Sequence, residues 1–416
     1  MLEKERIGMD RREFLRTSVC LGAGLSVPFF WGQNALGGQG AGRRDRILVL
    51  LELRGGNDGL NTVVPFGDER YYAARPGLAV EKGKVLKIND ALGLHENLEG
   101  LMRLYDAGKV AVVNGAGYPN PNRSHFRSME IWQSGSDADR YEQNGWIGKL
   151  NDLHPDANPD PLCGIGIAPQ LNGAFWSERG LGVAFERAQQ FRWRAGQQGD
   201  TQAWFARLNK VHEPVKASGD TLDYVRQVTQ SIVKSSTRVI KAARVGAGKA
   251  EYPQNPLARN LKTVGQLIAG GLPTQVYHVA YGGFDTHANQ AGQHQNLLQN
   301  FGASVSAFMR DMESRRLADR VLILCFSEFG RRVAQNASGG TDHGTAGPMF
   351  LIGSGVRPGL HGRYPDLGAL DKNGDLQFTV DFRAVYAEVL AKWFGADAER
   401  VLGRKFSPID LLAARA

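Results

Sequence analysis

Apolar side chains come in short runs that polar loops interrupt. The runs cover ILVLLEL directly after Arg46, then Val110 to Asn114, Val276 to Tyr281, Val321 to Phe326 and Met349 to Ile352. Each is too short for a free-standing helix and too continuous for a half-exposed strand, so each predicts a strand buried on both faces. Between them the apolar spacing changes to that of a helix. Leu297, Leu298, Phe301, Val305, Phe308 and Met312 recur at helical intervals, as do Phe382, Val385, Tyr386, Val389, Leu390 and Trp393. Buried strands alternating with helices predict an α/β fold, a doubly wound, mostly parallel sheet with helices on both faces. In such a sheet ligands gather beyond the C-terminal strand ends.

Two stretches depart from this rhythm. The segment from about 130 to 250 is rich in Trp, Gln, Asn and Arg, with a helical pattern through Leu222, Val225, Val228, Ile232 and Ile240. It is expected to form an insertion or cap beside the sheet. The N-terminus reads DRREFLR, with Arg11 and Arg12 followed by Phe14 and Leu15 and a weakly apolar stretch from Thr17 to Trp31. That pattern resembles a twin-arginine export signal and is too short and too glycine- and serine-rich to span a membrane. Residues 1–42 are therefore expected to be signal and linker, and 43–416 one domain. The translocase is then a partner during export, and a periplasmic or secreted location follows. No membrane insertion of the mature chain is expected.

Composition narrows the classes. The 416 residues, 42% of them hydrophobic, can bury one large core. The 50 basic and 42 acidic residues leave a net charge of +8. The basic residues form no tract, so no nucleic-acid partner is expected. There are three cysteines, Cys20, Cys163 and Cys325, and no CxxC pair. Cys325 lies inside a buried strand, so free thiols are expected and a cysteine-based zinc site is not.

Four polar clusters lie beyond strand ends. GGNDGLN carries Asn57, Asp58 and Asn61; NPNRSHF carries Ser124 and His125; YGGFDTH carries Asp285 and His287; SEFGR with GGTDHG carries Glu328, Arg331, Asp342 and His343. Divalent metals of hard to borderline character take carboxylate oxygen and imidazole nitrogen. Asp58, Asp285, His287, Glu328, Asp342 and His343 are the candidate ligands, enough for one or two ions. Two ions about 4 Å apart could clamp the attacking and leaving oxygens of a phosphoryl or sulfuryl group. Ser124, where a helix begins, is a candidate nucleophile favoured by the positive helix end. Plainer readings stand beside these. The glycines of GGND serve a turn with positive φ, Ser124 caps a helix, and Arg331 pairs with a carboxylate instead of holding an anionic substrate.

The motifs DRREFLR, LRGGNDGLNTVVP, ALGLHENLEGL, NGAGYPNPNRSHFRSMEIWQSG, YGGFDTHANQ, SEFGRRVAQNASGGTDHG and MFLIGSGV together resemble the twin-arginine-exported family called domain of unknown function 1501. That family looks like a branch of the alkaline phosphatase and sulfatase superfamily. The resemblance implies a metal at Asp58, Asp285, His287, Glu328 and His343, one or two ions of Zn, Ca, Mn or Mg, and Ser124 as nucleophile. Glu328 is followed by Phe329 where the superfamily shows Asp-His, and Ser124 does not sit in the cysteine motif of sulfatases. The leading expectation is a metal-dependent hydrolase of phosphate or sulfate esters, acting on a small molecule or a polysaccharide. The alternative is a non-catalytic carbohydrate-binding protein whose surface is formed by Trp132, Trp146, Trp176, Trp193 and Trp204, for which core and cap packing is the plainer reading.

Overall fold

A computed structural model describes residues 45–153, 160–178, 182–191, 235–245 and 250–413. The leader with Arg11, Arg12 and Cys20 lies outside the described residues, as do Leu222, Val225, Val228 and Ile232 of the expected cap.

The strands are β1 (Ile47–Arg54), β2 (Val63–Val64), β3 (Leu86–Lys87), β4 (Gly93–Leu94), β5 (Val110–Gly117), β6 (Gly164–Ile167), β7 (Val183–Ala184), β8 (Val276–Gly282), β9 (Val321–Phe326), β10 (Gly347–Ile352), β11 (Gly359–His361) and β12 (Val380–Asp381). The main sheet runs β11-β5-β10-β9-β1-β8-β6-β7, with β12 also on β5, and β2, β4 and β3 form a small separate sheet. The five predicted runs are all strands of the main sheet. β1 pairs in parallel with both β8 and β9, whereas β10 is antiparallel to β9 and to β5. Two reversals across β10 restore the direction. The ends of β1, β5, β8 and β9 therefore open on one edge of the sheet.

The helices are α1 (Glu69–Ala74), α2 (Glu99–Asp106), α3 (His125–Ser134), α4 (Trp146–Asp152), α5 (Pro256–Ala269), α6 (Gln290–Ser314), α7 (Phe382–Glu388) and α8 (Ala398–Leu402). Because successive strand side chains point to opposite faces, β1 feeds two cores. Val49, Leu51 and Leu53 meet α2, α5, α6 and the helical residues 235–244, with Leu298, Phe301, Val305, Phe308 and Met312 of α6 buried there. Leu48 and Leu50 meet α3, α4, α7 and α8 on the other face, through Trp132, Trp146, Phe382 and Val385. Burying each such side chain is worth about 1.5–3 kcal/mol. The two-faced cover is what the apolar runs predict.

Of the segment 130–250, expected as a cap, the described residues include parts that join the sheet layers. Within it α4 packs on the sheet, and β6 and β7 extend the sheet in parallel beyond β8. Four residues of β6 and two of β7 are too few to show a strand signature against loop composition. Cys163 and Cys325 are free thiols. Burial raises both above the ordinary range, Cys163 to about 12. No helix among the described residues is long and apolar enough to cross a membrane.

Candidate functional site

Glycine makes the junction of the strand-end loops. Beyond β1, Gly55 and Gly56 take φ of 118° and 76°. A Cβ on Gly55 would lie 2.5 Å from the Asp285 backbone nitrogen, and one on Gly56 would lie 2.4 Å from the Phe329 ring. Only glycine allows both the conformation and the approach. The β1 loop thus passes directly against the loops after β8 and β9.

Arg331 fastens this junction. Its guanidinium is buried and donates to Gly56 O at 2.7 Å, Thr341 O at 2.8 Å, Phe284 O at 3.0 Å, Gly55 O and Asp285 Oδ1 at 2.6 Å. Of the two readings open for Arg331, the carboxylate pairing is the one present. Spent on four carbonyls and Asp285, the side chain has no face turned to a substrate.

Around Asp285 three imidazoles repeat one arrangement. His125 Nδ1 lies 2.8 Å from Glu328 Oε1, His287 Nδ1 lies 3.0 Å from Asp342 Oδ1, and His343 Nδ1 lies 2.8 Å from Arg123 O. Carboxylates and carbonyls only accept, so each Nδ1 carries a proton, and in the neutral form of each ring the lone pair lies at Nε2. All three Nε2 atoms turn to the same carboxylate. His287 Nε2 is 3.0 Å and His343 Nε2 is 3.1 Å from Asp285 Oδ1, and the two nitrogens are 3.0 Å apart. His125 Nε2 stands 3.4 Å from Asp285 Oδ2 and has no hydrogen-bond partner although it is buried. Ligand atoms of His125, Asp285 and His343 all lie within 4.8 Å of one another.

Lone pairs and a carboxylate at these separations repel unless a cation lies among them. Protons can serve in part. The hydrogen bond to Glu328 raises the pKa of His125 against the effect of its burial. Burial lowers that of His343 despite its contact with Asp285. Burial alone would raise Asp285, but Arg331 and His343 hold it down at about 2. A divalent ion is the other way to meet them: His125, Asp285 and His343 bring imidazole nitrogen and carboxylate oxygen within 4.8 Å of one another, donors of the kind zinc takes. Ligands about 2 Å from one ion lie about 3–3.4 Å from each other, close to the separations seen. Carboxylates behind ligating histidines also fix the tautomer that such an ion needs.

The candidate ligands therefore divide. Asp285, His287 and His343 come together. Glu328 and Asp342 differ from the expectation of direct ligands and stand behind His125 and His287. Asp58 departs furthest. It is buried against Arg75 at 2.6 Å and also takes Gln290 Nε2. Arg75, from the loop after α1, neutralises Asp58, so no net charge remains there for a metal. His125, paired in the sequence with Ser124 only as the start of a helix, is the residue missed. An Nδ1 partner 203 positions away leaves no local signal.

Ser124 is exposed at the start of α3, and its side chain makes no capping bond. Its hydroxyl makes no hydrogen bond among the described residues, so the side-chain capping reading is not the one present. Of the tryptophans proposed as a recognition surface, Trp132 and Trp146 are core residues, packed on Phe326, Phe382 and Tyr386. Trp176 is exposed, and Trp193 and Trp204 lie outside the described residues.

Solved structures similar to the chain include a protein in the alkaline phosphatase superfamily from Vibrio parahaemolyticus, at 9% identity and TM-score 0.40, covering 91% of this chain and 71% of that one. The C-terminal periplasmic domain of EcEptC from Escherichia coli, in complex with Zn, is similar at 10% identity and TM-score 0.34 over 74% of this chain and 73% of that one. The lipoteichoic acid synthase LtaP from Listeria monocytogenes is similar at 8% identity and TM-score 0.35, with 76% and 68% covered. No curated protein matches. The family model described as protein of unknown function DUF1501 matches residues 45–405, and the chain belongs to that family.

Proposed function

We propose that this protein is an exported, metal-dependent hydrolase of phosphate or sulfate esters on an alkaline phosphatase-like scaffold. One observation carries the reading. His125, His287 and His343 are each held by an acceptor at Nδ1 and turn Nε2 toward Asp285. These four residues would hold one ion of zinc type. When bound, the ion supplies Lewis acidity and positive charge for an anionic ester.

The chain's own groups do the rest. Glu328, Asp342 and the Arg123 carbonyl fix the tautomers, and Arg331 locks Asp285 against the β1 loop. Ser124, next to His125, offers a free hydroxyl at the positive end of a ten-residue helix. Its Oγ forms the new bond to phosphorus or sulfur and its proton passes to solvent. The ester oxygen departs as an alcohol, taking up a proton, and water then releases the phosphate or sulfate. The twin-arginine leader supports export, a route suited to a protein that folds around an ion first.

The test is turnover of aryl phosphates and aryl sulfates by the zinc-loaded protein and its Ser124→Ala variant. Hydrolysis that disappears in the variant while zinc stays bound is the expected result. Equal rates in the two proteins would remove Ser124 from the mechanism, and silence across the panel with zinc bound would remove the hydrolase reading.

A further inference from the structure

Arg331 was the natural candidate to hold an anionic substrate, and its donors are consumed inside the protein. Arg54 has the opposite situation. It is the last residue of β1, directly before Gly55, whose amide donates to Glu328 at 2.9 Å. The Phe284 amide donates to its carbonyl at 3.3 Å, so its backbone lies between the loops that carry Asp285 and Glu328. Strand alternation puts its side chain on the face of Leu48, Leu50 and Glu52. That is also the face of α3, where Trp132 stacks on Phe326, the register partner of Glu52. Ser124 and His125 begin that helix.

The guanidinium is anchored at one point. Arg54 Nε donates to Glu52 Oε1 at 2.7 Å, while the side chain stays 55% exposed. Glu52 is a fully buried carboxylate in the core, held further by His278 Nε2 at 3.0 Å and Asn172 Nδ2 at 3.1 Å. A buried charge is costly and needs partners, and Glu52 takes one of them from Arg54, holding that guanidinium by its Nε at the end of β1. With Nε used, the Nη1 and Nη2 donors form no hydrogen bond among the described residues and remain for a planar, two-point contact with an oxyanion.

We infer that Arg54 binds the tetrahedral oxyanion of the substrate, phosphate or sulfate, beside the His125–Asp285–His343 cluster, with Glu52 as its positioning residue. This deepens the proposed function and rests on it for the identity of the reaction. It limits the substrates to esters with a charged tetrahedral head and disfavours neutral carboxylic esters.

Calorimetric titration of the full protein with inorganic phosphate, and separately sulfate, tests it with and without zinc. Arg54→Ala is expected to weaken phosphate binding about tenfold or more with zinc content unchanged. Arg54→Lys keeps the charge beside Glu52 but loses the fork, and is expected to fall between. Glu52→Gln is expected to weaken phosphate binding while leaving zinc uptake intact, a split that general destabilisation would not produce. Zinc-loaded protein that binds neither anion, or binds both equally well in Arg54→Ala and Arg54→Lys, overturns the inference and leaves the metal reading standing. Protein that takes up no zinc yet loses phosphate in Arg54→Ala sinks the metal reading and upholds the role of Arg54.

Discussion

Asp58 and Asp285 follow neighbouring parallel strands at the same sheet edge, in loops that touch, yet their surroundings are opposite. Asp58 is buried and met by donors: the Arg75 guanidinium, the Gln290 amide and the Asn61 backbone N–H. Every charge and lone pair there is answered from within the chain. Asp285 is about half exposed, takes one guanidinium from Arg331, and then faces the Nε2 atoms of His287 and His343. The first assembly is complete and serves the fold. The second gathers imidazole nitrogens around one carboxylate, the arrangement on which the proposed metal site rests.

The contrast is broken most severely at the closed assembly. Asp58→Ala leaves the Arg75 charge buried without its partner and is expected to cost about 3–5 kcal/mol of stability, read from urea denaturation. Asp285→Ala, in its half-exposed setting, is expected to cost far less in stability without metal but to lower zinc affinity at least about a hundredfold. Interchange of these two outcomes would refute the distinction. One contact further out, Glu328→Gln and Asp342→Asn are each expected to lower zinc affinity about 10- to 100-fold, since they loosen the tautomer and not the ligand itself. An Asp342→Asn protein with unchanged affinity would show that His287 needs no orienting partner.

Acid sharpens the comparison more gently. Burial would raise the Asp58 carboxyl, but Arg75 and His294 together hold it below its ordinary value of 3.8. A carboxyl depressed in the folded state contributes stability that is complete above the unfolded value and is lost as pH falls through the folded one. Stability should therefore decline as pH drops below about 4, with a shallower decline in Asp58→Asn, followed by denaturant midpoints at successive pH values. The smallest effect is expected at Phe126, which is 87% exposed on α3. Phe126→Ala should move stability by no more than about 0.5 kcal/mol, so a larger loss would mean that this surface is covered.

Legibility in the sequence follows the same division. Apolar runs and helical spacing are local, and they identify the strands β1, β5, β8, β9 and β10 together with α6 and α7. Strand direction is not local, so nothing in Met349 to Ile352 reveals that β10 runs antiparallel. Asp285, His287 and His343, which the structure places together, lie in polar clusters that the sequence marks beyond buried strands, and the glycines around Asp342 and His343 strengthen that signal. Asp58 carries the same local signature, and its different fate depends on Arg75 folding back beneath it. The orienting roles of Glu328 and Asp342, and the entry of His125, depend on contacts between distant loops. Trp132 and Trp146, assigned to a recognition surface only in the alternative reading, are core residues once α3 and α4 pack on the sheet.

The central claim is most directly tested by anomalous X-ray diffraction at the zinc edge from crystals of the zinc-loaded protein, with elemental analysis of the same sample. The expected result is one strong peak bonded to the Nε2 atoms of His125, His287 and His343 and to Asp285, with no density beside Asp58. A peak at Asp58, or a zinc-loaded protein whose ion lies away from these histidines, would contradict it.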